Sequence, residues 1–228
     1  MARLPRLGPA GIPQHVIPRG NNRQVRIQSV FQKRIVKLSY VERFIDAIDY
    51  TRSLGLKIEK NPIPLSDKIK LSTMQNIFQL CGDALYHYGY QTSENLAGQC
   101  TPVHLMLQSH LKSDMNIDSF ITVGDRYWAD YIYCEMSKNS IESELKNPSI
   151  GGGIKAHVWL TLTDGTILDC TAEAHADLLF KRGLHPAHKC IMLVDPNQEE
   201  NVKIGYHRPY LIGTGFLEKT GIYQVVHP

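Results

Sequence analysis

The sequence predicts an α+β fold, and three observations support this. Helical periodicity dominates residues 40–112, whereas short β-rich segments dominate residues 119–194. Helices that come first and strands that come later are typical of α+β proteins rather than of alternating βαβ units. The chain has 228 residues, of which 43% are hydrophobic, and this suffices for one sizeable core. We therefore expect N-terminal helices packed on an antiparallel sheet.

Three segments carry helical signals. The first follows a capping box formed by Ser39 and Glu42. The second follows a similar pair, Ser72 and Gln75, and carries the strongest apolar stripe in the chain. The third has a proline in its first turn, where proline is tolerated. The predicted helices run over residues 40–54, from Ser72 to Gly89, and from Cys100 to about Lys112.

The β-rich segments lie in the second half of the chain. Residues 157–171 predict a hairpin, because Asp164-Gly165 lies between β-rich flanks. A short helix is predicted over residues 172–181, and residues 137–153 are read as irregular or weakly helical. The remaining predicted strands are residues 119–123, 131–134 and 190–194.

Charge divides the chain near residue 38. Eight of the 25 Lys and Arg residues lie within residues 1–38, whereas all 22 acidic residues follow, beginning with Glu42. Pro and Gly recur through residues 1–24, so we predict a basic arm over 1–38 that is extended or poorly ordered, with one short strand at 15–17. The domain is predicted over residues 39–228. A basic arm of this kind can mark contact with nucleic acid.

Composition excludes several classes of protein. No window approaches the ~18 apolar residues of a membrane span, so we expect no membrane contact. The five cysteines show no disulfide framework and the arm lacks the apolar segment of a secretory signal, which together favour the cytoplasm. His185-x-x-His188-x-Cys190 lacks the second ligand pair of a standard zinc site, and no nucleotide-binding fingerprint is present. We therefore expect no metal and no cofactor.

Three residues form a candidate catalytic set. Cys100 lies at a predicted helix start, where unpaired N–H groups and the helix dipole favour the thiolate. A thiolate still needs an imidazole to hold and transfer the proton, and the imidazole needs an acceptor that orients it. His157 begins the first strand of the predicted hairpin, and Asp169 ends the second.

The hairpin register decides whether His157 and Asp169 can meet. A two-residue turn would place them on opposite faces of the sheet, because side chains alternate along a strand. A three-residue loop over 163–165 would make them diagonal neighbours on one face, about 7–8 Å apart at Cα. Gly165 suits the left-handed position in such a loop. We therefore predict the three-residue loop.

These residues and their neighbours resemble a known superfamily. Gly98-Gln99-Cys100, then His157-Val158-Trp159, then Asp169-Cys170-Thr171 is similar to the motif order of papain-like cysteine enzymes in their transglutaminase-like branch. The resemblance covers roughly residues 70–195. Thr101-Pro102 stands where that branch has an aromatic residue, and Cys170 where it has proline, which leaves the substrate open.

The resemblance implies a role for each candidate residue and a papain-like fold. The thiol would be the nucleophile, the imidazole the base and later the acid, and the carboxylate the group that orients the imidazole. A nearby amide side chain would face the oxyanion, and a tryptophan would form a wall of the site. The implied catalytic residues are Cys100, His157 and Asp169, and the implied oxyanion or substrate-binding residues are Gln91, Gln99 and Trp159.

The arm carries a resemblance of its own. Met1-Ala-Arg-Leu-Pro-Arg, His15-Val16 and the segment 19–24 resemble the opening of repeat-associated transposase-like proteins of the single-tyrosine type. Strand cleavage in that family needs a paired-histidine metal site, and no His-x-His pair follows in this sequence. The arm thus resembles a fragment joined to an unrelated body, with lysine and arginine residues that could still neutralise phosphates.

The leading hypothesis is a cysteine-dependent acyl-transfer enzyme. It would hydrolyse an amide or isopeptide bond in a peptide, protein or small amide substrate, through a thioester on Cys100. One alternative is a nucleic-acid-binding protein that acts through residues 1–38. The other is a catalytically inactive papain-like scaffold, in which the Cys100 sulfur would lie well away from the His157 ring.

Overall fold

The computed structural model describes residues 38–128, 131–149 and 155–222. The predicted arm, residues 1–38, and its strand at 15–17 lie outside these ranges apart from Leu38. In chain order the helices and strands are α1 (Tyr40–Ser53), α2 (Leu71–His87), α3 (Ser93–Leu96), α4 (Cys100–Met115), β1 (Ser119–Trp128), β2 (Tyr131–Tyr133), α5 (Lys138–Lys146), β3 (His157–Leu162), β4 (Ile167–Asp169), α6 (Ala172–Leu179), a 3-10 turn (Ala187–Cys190), β5 (Met192–Val194), β6 (Tyr206–Ile212) and α7 (Gly215–Lys219).

The strands form one antiparallel sheet, and with the helices this confirms the α+β class. Its order is β2-β1-β3-β4-β5, and β6 pairs with β1 as well. Because the middle of β1 pairs with both β3 and β6, these two strands lie along opposite edges of β1. β1 is thus the central strand of the part of the sheet that carries the candidate residues.

The first helix begins where the sequence predicts. The Ser39 N–H donates to Glu42 Oε2 at 2.6 Å, and the Ser39 hydroxyl accepts from the Glu42 N–H at 3.3 Å. This is the predicted capping box. The third helix also begins at the predicted Cys100 but runs three residues past Lys112, to a left-handed Asn116 with φ 52°.

The predicted start of the second helix is wrong. Ser72 lies inside α2, and the N-cap is Lys70, whose extended backbone (φ −64°, ψ 147°) makes no side-chain capping bond. The sequence pattern shows where an apolar stripe can begin, but the backbone turns into the helix two residues earlier. Residues 138–146 form α5, capped by Ser137, within the stretch read as irregular or weakly helical.

Strand β6 has no counterpart in the sequence prediction, and Pro209 explains why. A proline cannot donate to a ladder and is avoided inside central strands. Pro209 pairs with Gly124 beside a shift in the register between β1 and β6, which accommodates it. A Cβ on Gly124 would lie 2.1 Å from the Arg208 carbonyl oxygen and 2.6 Å from Trp159 Cη2. Only glycine lets the strand and the indole approach so closely.

Helices cover the sheet on both faces. On one face α4 packs against β1 and β3, and α2 packs behind α4. On the other face α1 lies against β6. The two cores have different members: the larger contains Val158, Leu160 and Leu162 of β3, while the smaller contains Trp159 with Tyr40, Phe44 and Ile48 of α1. This alternation along β3 positions the site described next.

Candidate active site

Cys100 is the first residue of α4, a helix of 16 residues. Gly98, with φ 77°, makes the turn that leads into it. The N–H groups of Cys100 and Thr101 have no acceptor inside the helix, and Pro102 has no N–H. The Cys100 Sγ lies 3.9 Å from the Ala156 carbonyl oxygen, and the residue is 8% exposed. Cys100 therefore lies at the positive end of a helix, as the sequence predicts.

The hairpin has the predicted register. Leu160 lies opposite Leu168, and Thr161 lies opposite Ile167. Gly165 occupies the left-handed region with φ 87°. The three-residue loop is therefore confirmed, and His157 and Asp169 lie on the same face of the hairpin.

His157 and Asp169 form a fully buried hydrogen-bonded pair. The imidazole donates from Nε2 to the Asp169 Oδ2 at 2.6 Å. This leaves Nδ1 buried without a hydrogen-bond partner. Cys100 lies close enough to His157 for the imidazole to lower the pKa of its thiol. The structure thus brings the three predicted residues together.

Burial and neighbouring charges have opposite effects on the pKa values of Cys100 and His157. Burial alone would raise the pKa of Cys100, but the nearby imidazole of His157 outweighs it and lowers that pKa. Burial would lower the pKa of His157, but the charge and hydrogen bond of Asp169 raise it to about 9. Both shifts favour the thiolate and the imidazolium over the neutral thiol and the neutral imidazole.

Asp169 accepts hydrogen bonds at both oxygens. Its Oδ1 receives the backbone N–H groups of Thr171 and Ala172 at 2.9 and 3.0 Å, which caps the start of α6. Its Oδ2 receives His157 and also His207, whose Nε2 lies 2.8 Å away. Burial raises the pKa of Asp169, but the two histidines, His157 first, hold it well below its usual value.

His207 is a site residue that the sequence analysis missed. It lies on β6, buried, and its ring centre is 5.0 Å from that of Trp159. The signal that could have found it is the alternation along residues 206–211, in which every second residue is buried. Pro209 in the middle of that segment argued against a strand.

His104 lies one turn after Cys100 and is completely buried. Its Nδ1 donates to the Cys100 carbonyl oxygen at 2.8 Å, and its Nε2 accepts the Cys170 N–H at 3.1 Å. An imidazole that accepts a backbone N–H must be neutral, and burial lowers the pKa of His104 to about 4. His104 thus ties the start of α4 to the end of β4.

The other three predicted site residues differ in burial and in their hydrogen bonds. Trp159 is fully buried, donates from Nε1 to the Tyr40 hydroxyl at 2.9 Å, and lies 5.5 Å from the His157 ring. It therefore supports the imidazole from behind and does not line an open wall. Gln99 and Gln91 are exposed; Gln99 directly precedes the cysteine, whereas Gln91 is held by its backbone carbonyl to the Ala187 N–H. Neither glutamine side chain makes a hydrogen bond within the described residues.

Tyr133 forms a wall that the sequence analysis did not assign. Its ring centre lies 4.9 Å from that of His157 and 4.0 Å from that of His175, on which it stacks. Burial, and then the charge of Cys100, raise the pKa of Tyr133, so its hydroxyl stays protonated. The side of the imidazole away from Trp159 is thus aromatic as well.

The remaining cysteines differ from Cys100. All five are free of disulfides. Cys81, Cys170 and Cys190 are buried. A hydrogen bond to Cys81 and burial raise the pKa of the Cys170 thiol well above its usual value. Burial, and then the charge of Cys100, raise the pKa of Cys134 to about 12.

One group of side chains could hold a metal ion. Across the described ranges, the group is His157, Asp169 and His207, whose ligand atoms all lie within 4.8 Å of one another. The His185-x-x-His188-x-Cys190 segment does not belong to it. The hydrogen bonds at 2.6 and 2.8 Å already satisfy the three side chains without a metal.

Comparison of the chain with protein-family models, curated proteins and solved structures gives no match. Among the described residues, no helix combines the length and the apolar character needed to cross a membrane.

Proposed function

We propose that this chain is a cysteine-dependent acyl-transfer enzyme with a papain-like arrangement, of the transglutaminase-like branch. The observation that carries the proposal is the thiol of Cys100 at the start of α4, beside an imidazole that Asp169 orients at 2.6 Å. The lowered pKa of the thiol, against the effect of burial, adds support, because it is due to His157. A scaffold without activity has no need of this pair.

The reaction would proceed through a thioester. The Cys100 thiolate attacks the carbonyl carbon of an amide, and a C–S bond forms. The developing oxyanion lies near the free N–H groups of Cys100 and Thr101 at the helix start. His157, protonated at Nδ1, gives its proton to the leaving amine as the C–N bond breaks. Water, or an acceptor amine, then gives a proton to His157 and attacks the thioester, which frees the thiol.

The substrate class that we propose is a peptide, a protein or a small amide. The five free thiols favour a reducing compartment, and we propose the cytoplasm. The reaction needs no cofactor, since the thiol, imidazole and carboxylate supply the nucleophile, the base and its orienting group.

Thiol labelling tests this function. A thiol-directed electrophile should modify wild type rapidly near pH 7 and should leave Cys100→Ala unmodified. Cys134→Ala is the matched control, because it removes the partly exposed cysteine and should label like wild type. His157→Ala should slow labelling. Equal labelling of wild type and Cys100→Ala, with no effect of His157→Ala, would reject the enzyme.

The basic arm supports a second proposal, binding of nucleic acid. Its eight Lys and Arg residues, with no acidic residue among them, suit phosphate contacts. Wild type should bind duplex DNA with an affinity that falls as salt rises, and a chain without residues 1–24 should lose this binding. Unchanged binding after truncation would discard the proposal.

A further inference from the structure

We propose that His207 is a positioning residue of the site, which holds the Asp169 carboxylate and limits how strongly its Oδ2 binds the His157 imidazole. The proposal rests on the proposed function, since it concerns the histidine that would serve the thiol. His207 does not contact the reacting atoms. It acts through Asp169.

Two histidines share a single carboxylate oxygen. Oδ2 lies 2.6 Å from His157 Nε2 and 2.8 Å from His207 Nε2. Oδ1 is occupied by the N–H groups of Thr171 and Ala172. A carboxylate only accepts, so both Nε2 atoms must carry a proton. His207 is therefore fixed as the Nε2–H tautomer.

The donor is neutral. Burial lowers the pKa of His207 to about 4, and the charges of Arg126 and His157 act in the same direction against Asp169. His207 therefore donates a hydrogen bond across the neutral range without adding a positive charge. The titratable groups that face this cluster are Cys100 and His104 on α4, Arg126 on β1, Tyr133 on β2, Tyr40 on α1, His175 on α6 and Cys170 after β4.

The sheet fixes the position of His207. It lies opposite Arg126 in the β1–β6 ladder, two residues before Pro209, which pairs with Gly124 beside the register shift. Its ring lies against Trp159, with ring centres 5.0 Å apart. Two adjacent strands and the indole thus hold the ring, so the hydrogen bond to Asp169 is imposed by rigid elements of the fold.

Two donors on one oxygen compete. If His207 no longer donates, Oδ2 carries more uncompensated charge in a site from which water is excluded, and it binds the remaining donor more strongly. His157 should then keep its proton to higher pH. A charge-assisted hydrogen bond of usual strength corresponds to a shift of about one pH unit.

Two substitutions separate the hydrogen bond from the packing. His207→Gln keeps a donor near the Nε2 position but removes the ring. His207→Phe keeps a ring against Trp159 but removes the donor. Nuclear magnetic resonance of ¹⁵N-histidine-labelled protein gives the pKa of His157 in each variant, and alkylation of Cys100 against pH gives its reactivity. If the phenylalanine variant does not fold, His207→Met replaces it, because methionine fills irregular gaps without donating.

We expect the pKa of His157 to rise by about one unit in His207→Phe and to stay near the wild-type value in His207→Gln. The ¹⁵N shifts of wild-type His207 should show the neutral Nε2–H form down to about pH 5, above the pKa of about 4. Equal shifts in both variants, or a shift in neither, would overturn the proposal.

If the proposed function is wrong, the two measurements give a different combination of results. In that case Cys100 is no more reactive than an ordinary thiol in wild type, while His157 still titrates differently in His207→Phe and His207→Gln. The resonance measurement needs neither a substrate nor a reactive thiol, and so it decides the role of His207 by itself.

Discussion

Asp169→Asn is the substitution that tests the site most directly, because asparagine keeps the shape of the side chain and removes its charge. If the amide oxygen keeps the N–H groups of Thr171 and Ala172, the amide nitrogen must face His157 and His207. Both imidazoles then have to accept at Nε2. His157 would carry its proton on Nδ1 in the neutral state and could not take the proton of the thiol.

The size of the effect follows from the pKa of His157. Asp169 raises that pKa to about 9 from an ordinary 6.5, against burial. Without the carboxylate, burial dominates and the pKa falls below 6.5. The change exceeds about two and a half units, or about 3 kcal/mol. The Cys100 thiol loses its imidazolium partner, and its pKa rises, because burial is then no longer opposed by His157.

The assay is the rate of Cys100 alkylation between pH 5 and pH 10. At pH 7 the rate should fall about ten-fold for each unit by which the substitution raises the pKa of the Cys100 thiol above 7, since only the thiolate reacts. The matched control is Asp164→Asn in the same hairpin, a buried carboxylate that accepts the Ile69 and Thr166 N–H groups at 2.9 Å. It should destabilise the fold and leave the alkylation profile unchanged.

The reasoning fails if Asp169→Asn folds, as judged by its unfolding transition, and alkylates at the wild-type rate. It also fails if Asp164→Asn slows alkylation to the same degree, because the effect would then come from the stability of the hairpin. The amide orientation can be checked separately, since the tautomer of His157 has distinct ¹⁵N shifts.

Three further predictions concern the fold and the arm. Gly124→Ala should destabilise the protein by at least about 3 kcal/mol, because the new Cβ would lie 2.1 Å from a β6 carbonyl oxygen; urea unfolding measures this, and a change below about 1 kcal/mol would contradict it. The free energy of unfolding should fall from pH 6.5 to pH 4, because His104 and His207, whose pKa values burial lowers to about 4, bind protons more readily in the unfolded chain. A free energy of unfolding that stays constant from pH 6.5 to pH 4 would refute this statement. In binding assays with a short DNA duplex, the chain that lacks residues 1–24 should lose the salt-dependent binding of the wild type.

The sequence predicts those features of the site that depend on local spacing. Cys100 begins a helix because Gly98 precedes it and Pro102 suits the first turn. The distance between His157 and Asp169 follows from the parity of one loop, and Gly165 identifies the length of that loop. These relations involve residues close together in the chain, so periodicity and turn chemistry determine them.

Features that join distant segments could not be predicted in this way. His207 reaches the site through the β1–β6 pairing, and that strand contains a proline that sequence rules count against it. Trp159 was expected to line the cleft, but its burial depends on α1, which contributes the Tyr40 hydroxyl. No local pattern shows which helix covers which face of a sheet.

The three histidines near Asp169 differ in protonation although all three are buried. His157 lies 2.6 Å from Oδ2 and also faces a thiol that can supply a proton, so it is the histidine that becomes charged. His207 lies almost as close, but burial outweighs the effect of Asp169 on its pKa, and Arg126 also opposes its charging. His104 uses both nitrogens for backbone groups. Asp169 first, and then the Cys100 thiol, therefore distinguish the imidazole that would act as the base in the proposed reaction.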